Sequence, residues 1–75
     1  MQVTLVNDDM SGNNVRVIDS NASGTMIFEG YMQPNSQQLL TCRENDSGYG
    51  NLVTYQDNNP GIHRNLLNNG DRISL

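Results

Sequence analysis

The feature that most constrains this chain is a series of short runs in which every second residue is apolar. Val3 and Leu5 stand two residues apart near the start of the sequence. Val15 and Val17 repeat the pattern about ten residues later. Successive side chains of a β-strand point to opposite faces of its sheet, so this spacing predicts strands that place one face in a core. No stretch has the period of an amphipathic helix, and the chain is predicted to be all-β.

Clusters of Asn, Asp, Ser and Gly separate these runs, and such residues favour turns. Six or seven short strands at this spacing are typical of a small antiparallel β-sandwich with an immunoglobulin-like arrangement. A small barrel is the alternative. A single domain spanning residues 1–75 is expected. The predicted strands are residues 2–6, 14–19, 25–32, 38–43, 51–56, 62–67 and 72–75.

Residues 38–43 and 51–56 carry apolar side chains on both of their faces, and a glycine-rich segment, residues 44–50, joins them. Apolar groups on both faces are expected of a strand inside a sheet rather than at its edge. We therefore predict a β-hairpin at the centre of the protein. Phe28 is predicted to occupy the middle of the core, and Cys42 is predicted to be buried and unreactive because it alternates with Leu40.

A chain of 75 residues can bury only a thin core. Cys42 is the only cysteine and His63 the only histidine, which excludes an internal disulfide and leaves few ligands for zinc. No metal or cofactor is expected. Self-association would bury further surface, and its simplest form is a symmetric homodimer through an edge strand or an exposed sheet face. The terminal strands, which contain no charge over residues 2–6 and 73–75, are the predicted pairing edges.

The charge balance is acidic: four Arg and eight Asp or Glu give a formal net charge of −4. Nucleic-acid phosphates and anionic lipids repel such a chain, and no basic cluster offsets that repulsion. Neither nucleic acid nor membrane is an expected partner. No apolar run approaches the length of a membrane span, and the N-terminus lacks the pattern of a signal peptide. A soluble protein is expected, and the sequence indicates no compartment.

Catalytic groups are sparse in this sequence. Cys42 and His63 are the only candidates for a thiolate and imidazole pair, and no nucleophile-elbow or oxyanion-loop pattern surrounds them. The carboxylates lie almost entirely in predicted turns, where Asp side chains bond to nearby backbone. We therefore expect no catalytic residues and no enzymatic activity.

One segment resembles the start of a calcium-binding loop. Asn7, Asp9 and Ser11 alternate before Gly12, as oxygen ligands do in such loops. The twelfth position is Ile18, where a bidentate Glu is required. A calcium site is therefore not predicted.

The loop between the two central strands is the candidate binding site. Tyr49 lies between two glycines, and a flexible support of this kind can project an aromatic side chain. In the alternative, Tyr49 folds back over the core and its hydroxyl bonds to backbone. The candidate ligand-binding residues are Tyr49, Asn45, Asp46 and Asn51.

Residues 51–55, Asn-Leu-Val-Thr-Tyr, resemble the second half of the mannose-binding motif of monocot-type lectins, Gln-x-Asp-x-Asn-x-Val-x-Tyr. Ser47 and Tyr49 occupy the positions of Gln and Asp, and the threefold repeat of that family is absent. The resemblance covers five residues and does not identify the chain as a member.

Two functions remain as hypotheses. The first is a non-enzymatic module that acts structurally or binds a protein partner, which can be a second copy of itself. The second is a small carbohydrate-binding module in which Tyr49 or Tyr31 stacks on a sugar and Asn or Asp side chains bond to its hydroxyls.

Overall fold

The structure is a computed structural model that describes all 75 residues, and it confirms the all-β prediction. Each predicted strand overlaps an observed one. The strands are β1 Gln2–Asn7, β2 Asn13–Asp19, β3 Thr25–Met32, β4 Ser36–Thr41, β5 Gly50–Gln56, β6 Ile62–Leu67 and β7 Arg72–Ser74. A single turn of 3-10 helix, Ser20–Ala22, follows β2. The structure contains no helix long and apolar enough to span a bilayer.

The strands form two separate sheets, in agreement with the predicted small β-sandwich and not with a closed barrel. The four-stranded sheet has the order β3-β2-β5-β6, and the three-stranded sheet has the order β4-β1-β7. Every pairing is antiparallel except the one between β1 and β7, which is parallel. The expectation of a wholly antiparallel arrangement is therefore wrong at the last strand of the chain.

The predicted central hairpin is also wrong, because β4 and β5 lie in different sheets. β4 pairs with β1, whereas β5 lies between β2 and β6. Alternation defines the two faces of a strand but not its neighbour, and the segment between β4 and β5 is long enough to cross from one layer to the other. β5 is a central strand as predicted, and β4 is an edge strand.

Of the two terminal strands predicted to be pairing edges, the prediction is wrong for the first, and only the last is an edge of its sheet. β1 lies between β4 and β7, so both of its edges are already paired. β7 is an edge, but it has only three residues and pairs with β1 alone. The uncharged character of β1 suits a strand in the middle of a sheet.

The core lies between the two sheets and is formed by alternate residues of the central strands. Leu5 and Leu52 have no exposed surface. Phe28 packs against this core and is only half-buried, so its predicted central position is wrong. β3, which carries Phe28, is an edge strand, and an edge strand leaves its inward side chains at the rim of a sandwich. The core cluster comprises Val3, Leu5, Val15, Val17, Met32, Leu40, Cys42, Leu52, Leu67 and Ile73.

A buried polar network closes one end of the sandwich around Asn7, which is fully buried. The Nδ2 group of Asn7 donates to the carbonyl oxygens of Ser11, Met32 and Gln33 at 3.0–3.1 Å. Its Oδ1 atom accepts hydrogen bonds from the Asp9 amide and from Nδ2 of Asn13. These bonds hold the β1–β2 loop against the end of β3. The segment that resembles a calcium loop thus turns its first amide side chain towards the protein interior.

Cys42 follows β4 and is buried in the core cluster, as predicted. Burial raises the pKa of its thiol above the ordinary value, the Asp19 carboxylate raises it further, and the N-terminal ammonium opposes them. The folded state therefore binds the thiol proton more tightly than the unfolded chain does.

We expect the free energy of unfolding to fall as the pH rises above about 8.5, the ordinary thiol pKa. A raised folded-state pKa gives stability that is fully present below that pH and is lost as the pH rises through the folded pKa. Urea titrations across this range measure the loss. Between neutral pH and alkaline pH, the free energy of unfolding of a Cys42→Ala variant should decrease less than that of the wild type. Equal decreases in the two proteins would contradict the assignment to Cys42.

Candidate functional site

The predicted site loop is ordered by the side chain of Asn45. Its Oδ1 atom accepts hydrogen bonds from the backbone amides of Ser47 and Tyr49, each at 3.0 Å. The backbone amide of Asn45 donates to the Tyr49 carbonyl at 2.8 Å, and the Gly48 amide donates to the backbone carbonyl of Asn45. Asn45 is therefore the residue that shapes this loop, and its side-chain oxygen already has two partners.

Asn51 connects the same loop region to the neighbouring elements. Its Nδ2 group donates to Oδ1 of Asn21 at 3.2 Å, and its Oδ1 atom accepts from the Leu66 amide at 3.4 Å. Asn21 in turn donates to the carbonyl oxygens of Arg43 and Tyr49. Both the nitrogen and the oxygen of the Asn51 side-chain amide thus have partners within the protein.

Three of the four predicted site residues share hydrogen bonds, and the fourth lies in the same loop without a side-chain partner. Asn45, Tyr49 and Asn51 belong to one hydrogen-bonded region, with Tyr49 half-buried within it. Asp46 is exposed, and its side chain makes no hydrogen bond to another residue. A ligand at this loop would find the Asp46 carboxylate free and the two amide oxygens in use.

A second candidate surface lies on the outer face of the four-stranded sheet. We call it the tyrosine face and define it by the outward residues of the four strands of this sheet. The register places these residues in three rows across the sheet. The rows are Tyr31 with Asn14; Glu29 with Arg16 and Tyr55; and Met26 with Ile18, Val53 and His63.

Tyr55 is fixed at the centre of this face by contacts on two sides. The guanidinium carbon of Arg16 lies 4.7 Å from the centre of the Tyr55 ring, a cation–π contact. On the other side, a Cβ atom added to Gly61 would lie 2.7 Å from Cε1 of Tyr55 and 2.8 Å from Cγ1 of Val53. Only glycine leaves room for the ring there.

Tyr31 projects from β3 near the β1–β2 loop. Its hydroxyl lies over Gly12, where an added Cβ atom would overlap it. The side chain nevertheless remains 62 % exposed, and Met26, two rows away, is 45 % exposed. Exposed large side chains on one face of a sheet make that face a candidate interaction surface.

A shallow depression of about 270 Å³ lies between β2 and β3 on this side of the molecule. Carboxylate, amide and guanidinium groups surround it. The lining residues are Asn14, Val15, Arg16, Glu29, Gly30 and Asp57.

The other groups considered from sequence do not meet. Cys42 belongs to the core between the sheets, whereas His63 pairs with Val53 and lies on the outer face. No group of three or more His, Cys, Asp or Glu side chains is placed to hold a metal ion.

Sequence reasoning named Tyr31 but missed Arg16 and Tyr55. The alternation of Asn14, Arg16 and Ile18 on the outer side of β2 is visible in the sequence. The residues that stand beside them are not, since these depend on which strands pair with β2 and in what register.

Comparison of the chain with protein-family models, with curated proteins and with solved structures found no match.

Proposed function

We propose that this protein is a non-enzymatic interaction module and that it binds a protein partner through the tyrosine face. The observation that carries the proposal is the exposure of Tyr31 and Met26 beside the stacked pair of Arg16 and Tyr55. Tyr, Met and Arg are enriched in protein interfaces, and Tyr and Arg supply much of the binding energy at their centres.

The charges on this face favour a partner segment that is itself neutral and apolar. Arg16 and Glu29 stand opposite each other across β2 and β3, so the centre carries one charge of each sign. A strongly charged ligand of either sign gains little from such a balance. An apolar side chain inserted beside Tyr31 would gain contact area with its ring, and one inserted beside Met26 would gain contact area with Ile18.

The face is held in one arrangement before a partner arrives. Gly61 and Arg16 confine the Tyr55 ring, and the pairing of β2 with β3 and β5 fixes the spacing of the rows. A surface that is already ordered loses less conformational entropy on binding. This supports binding through the sheet face.

A selection from a displayed random-peptide library against the immobilised protein tests the proposal. We expect the selected peptides to contain apolar and aromatic residues and to shift the amide resonances of β2, β3 and β5. Tyr31→Ala should weaken their binding at least tenfold, because truncating an exposed aromatic that contacts the peptide removes about 1.4 kcal/mol or more.

Met10→Ala is the matched control, since Met10 is 97 % exposed and lies outside the tyrosine face. It should leave peptide affinity unchanged. Peptides that shift other regions of the protein, or that bind Tyr31→Ala as tightly as the wild type, would contradict the proposal.

A carbohydrate is the second candidate ligand, and the depression beside Tyr31 is the observation that favours it. The polar side chains that line the depression can bond to sugar hydroxyls, and Tyr31, which pairs with Asn14 on the same face, offers a ring for stacking on the sugar. A glycan array separates the two candidates. A reproducible hit lost in Tyr31→Ala would favour sugar binding at the depression, and one lost in Tyr49→Ala would favour sugar binding at the loop around Asn45.

A further inference from the structure

The two sheets have four free edges, and three of them carry features that discourage pairing with another chain. β3 contains Glu29 and a register irregularity opposite Val17 and Ile18. β7 has only three residues and begins with Arg72. Charges, irregularities and short length are the usual means of protecting an edge strand.

The β6 edge is protected by a bulge. Leu66 has a φ angle of +58°, in the left-handed region that a bulky residue rarely adopts, and the register with β5 shifts at this point. His63 and Arg64 add positive charge or polarity along the same strand. A bulge of this kind twists the edge away from a regular partner.

β4 has none of these protections. Its sequence, Ser-Gln-Gln-Leu-Leu-Thr, contains no charged residue and no proline. All six of its residues pair with β1 in continuous register. Leu39 on this strand is 56 % exposed. A regular, uncharged edge with an exposed apolar side chain is a template for strand addition.

The register identifies which backbone groups of β4 are free. The amide of Thr4 donates to the Asp71 carbonyl at 2.8 Å, so Thr4 directs its backbone polar groups towards β7. Leu39, which stands opposite Thr4, therefore forms no hydrogen-bonded pair with β1, because such pairs alternate along an antiparallel ladder. By the same alternation, Gln37 and Thr41 also direct their N–H and C=O groups away from β1.

We propose that β4 pairs antiparallel with β4 of a second copy of this chain, about a two-fold axis at Leu39. In this register Leu39 stands opposite Leu39 of the second copy, and Gln37 stands opposite Thr41. The free N–H and C=O groups of Gln37, Leu39 and Thr41 then all find partners, and the two strands exchange about six hydrogen bonds. The two three-stranded sheets become one sheet of six strands.

A second copy fits this edge for two reasons. The register is self-complementary, since it pairs a leucine with a leucine and an uncharged polar residue with another. Two chains of net charge −4 repel each other, and an approach through an uncharged strand keeps their carboxylates apart. The adjoining outward residues of β1, Gln2, Thr4 and Val6, are also uncharged.

One hydrogen bond within the chain must break when the strands pair. The side chain of Gln38 donates from Nε2 to the Leu39 carbonyl at 3.1 Å, on the exposed side of the strand. The Leu39 amide of the second copy would replace this donor. The exchange conserves the number of hydrogen bonds to that oxygen.

Sedimentation equilibrium over a range up to about 1 mM tests the inference, since contacts of this size give affinities in the micromolar to millimolar range. We expect the wild type to approach twice the 8.3 kDa mass of the chain. Leu39→Lys and Leu39→Glu should each stay at the mass of one chain, because like charges would face each other across the axis. An equimolar mixture of the two variants should recover the dimer.

Leu66→Lys is the matched control, since it places the same charge at an exposed leucine on the β6 edge. It should dimerise as the wild type does. The inference is overturned if the wild type remains one chain at about 1 mM, if Leu39→Lys still dimerises, or if the mixture of charge variants does not associate. This surface is separate from the tyrosine face, so Tyr31→Ala should leave the mass unchanged.

Discussion

Replacing Asn7 by alanine is expected to lower the free energy of unfolding by about 3 kcal/mol or more. The substitution removes one side chain that bonds to three carbonyl oxygens and accepts from two donors. The Ser11 and Gln33 carbonyls and the Asn13 side-chain amide keep other partners, whereas the Met32 carbonyl and the Asp9 amide lose their bonds to this side chain. Each buried group left unpaired costs about 1–3 kcal/mol unless water reaches it. Chemical denaturation measures the loss.

Asn65→Ala provides the matched control for this prediction. Asn65 also lies in a strand, but it is exposed and its side chain makes no hydrogen bond. The control should change stability by no more than about 0.5 kcal/mol. A loss below about 1 kcal/mol in Asn7→Ala would mean that water satisfies the network when the side chain is absent.

Leu52→Ala is expected to cost about 2–5 kcal/mol, because it leaves a cavity at a position with no exposed surface. Leu52 lies on β5, in the middle of the four-stranded sheet, and faces the three-stranded sheet across the core. A loss of this size is a large part of the stability of so short a chain, and we expect a sizeable unfolded fraction at room temperature.

Met10→Ala again serves as the control, because it shortens a side chain that is 97 % exposed. The two variants should differ by at least about 2 kcal/mol in denaturant titrations. Similar stability in both would show that the core can close around the missing side chain.

The two predictions depend on different kinds of information. That Leu52 is buried follows from its place in an alternating apolar run, and the sequence predicted a strand there. That Asn7 is buried does not follow from its sequence neighbours, which are turn-forming residues. Its burial results from the contact of the β1–β2 loop with the end of β3, which brings the Met32 and Gln33 carbonyls to its amide.

The candidate site divides in the same way. The alternation in β2 shows that Arg16 and Ile18 share a face, but not that Arg16 would lie over Tyr55, which is 39 residues further along the chain. The loop around Tyr49 was recognisable from its glycines. The internal bonds that occupy Asn45 and Asn51 depend on side-chain geometry, which residue types alone do not specify.

The sequence by itself determined that this protein is all-β, approximately where its strands lie and which of their faces are apolar. These properties are local, since a period of two residues and the turn-forming clusters between the runs act within one strand and its ends. Only the tertiary structure decided that β4 and β5 belong to different sheets, that β7 runs parallel to β1, and that β4 is left as an open edge. Strand pairing is non-local: many pairings satisfy the same local pattern, and the choice among them depends on the packing of all seven strands around one core.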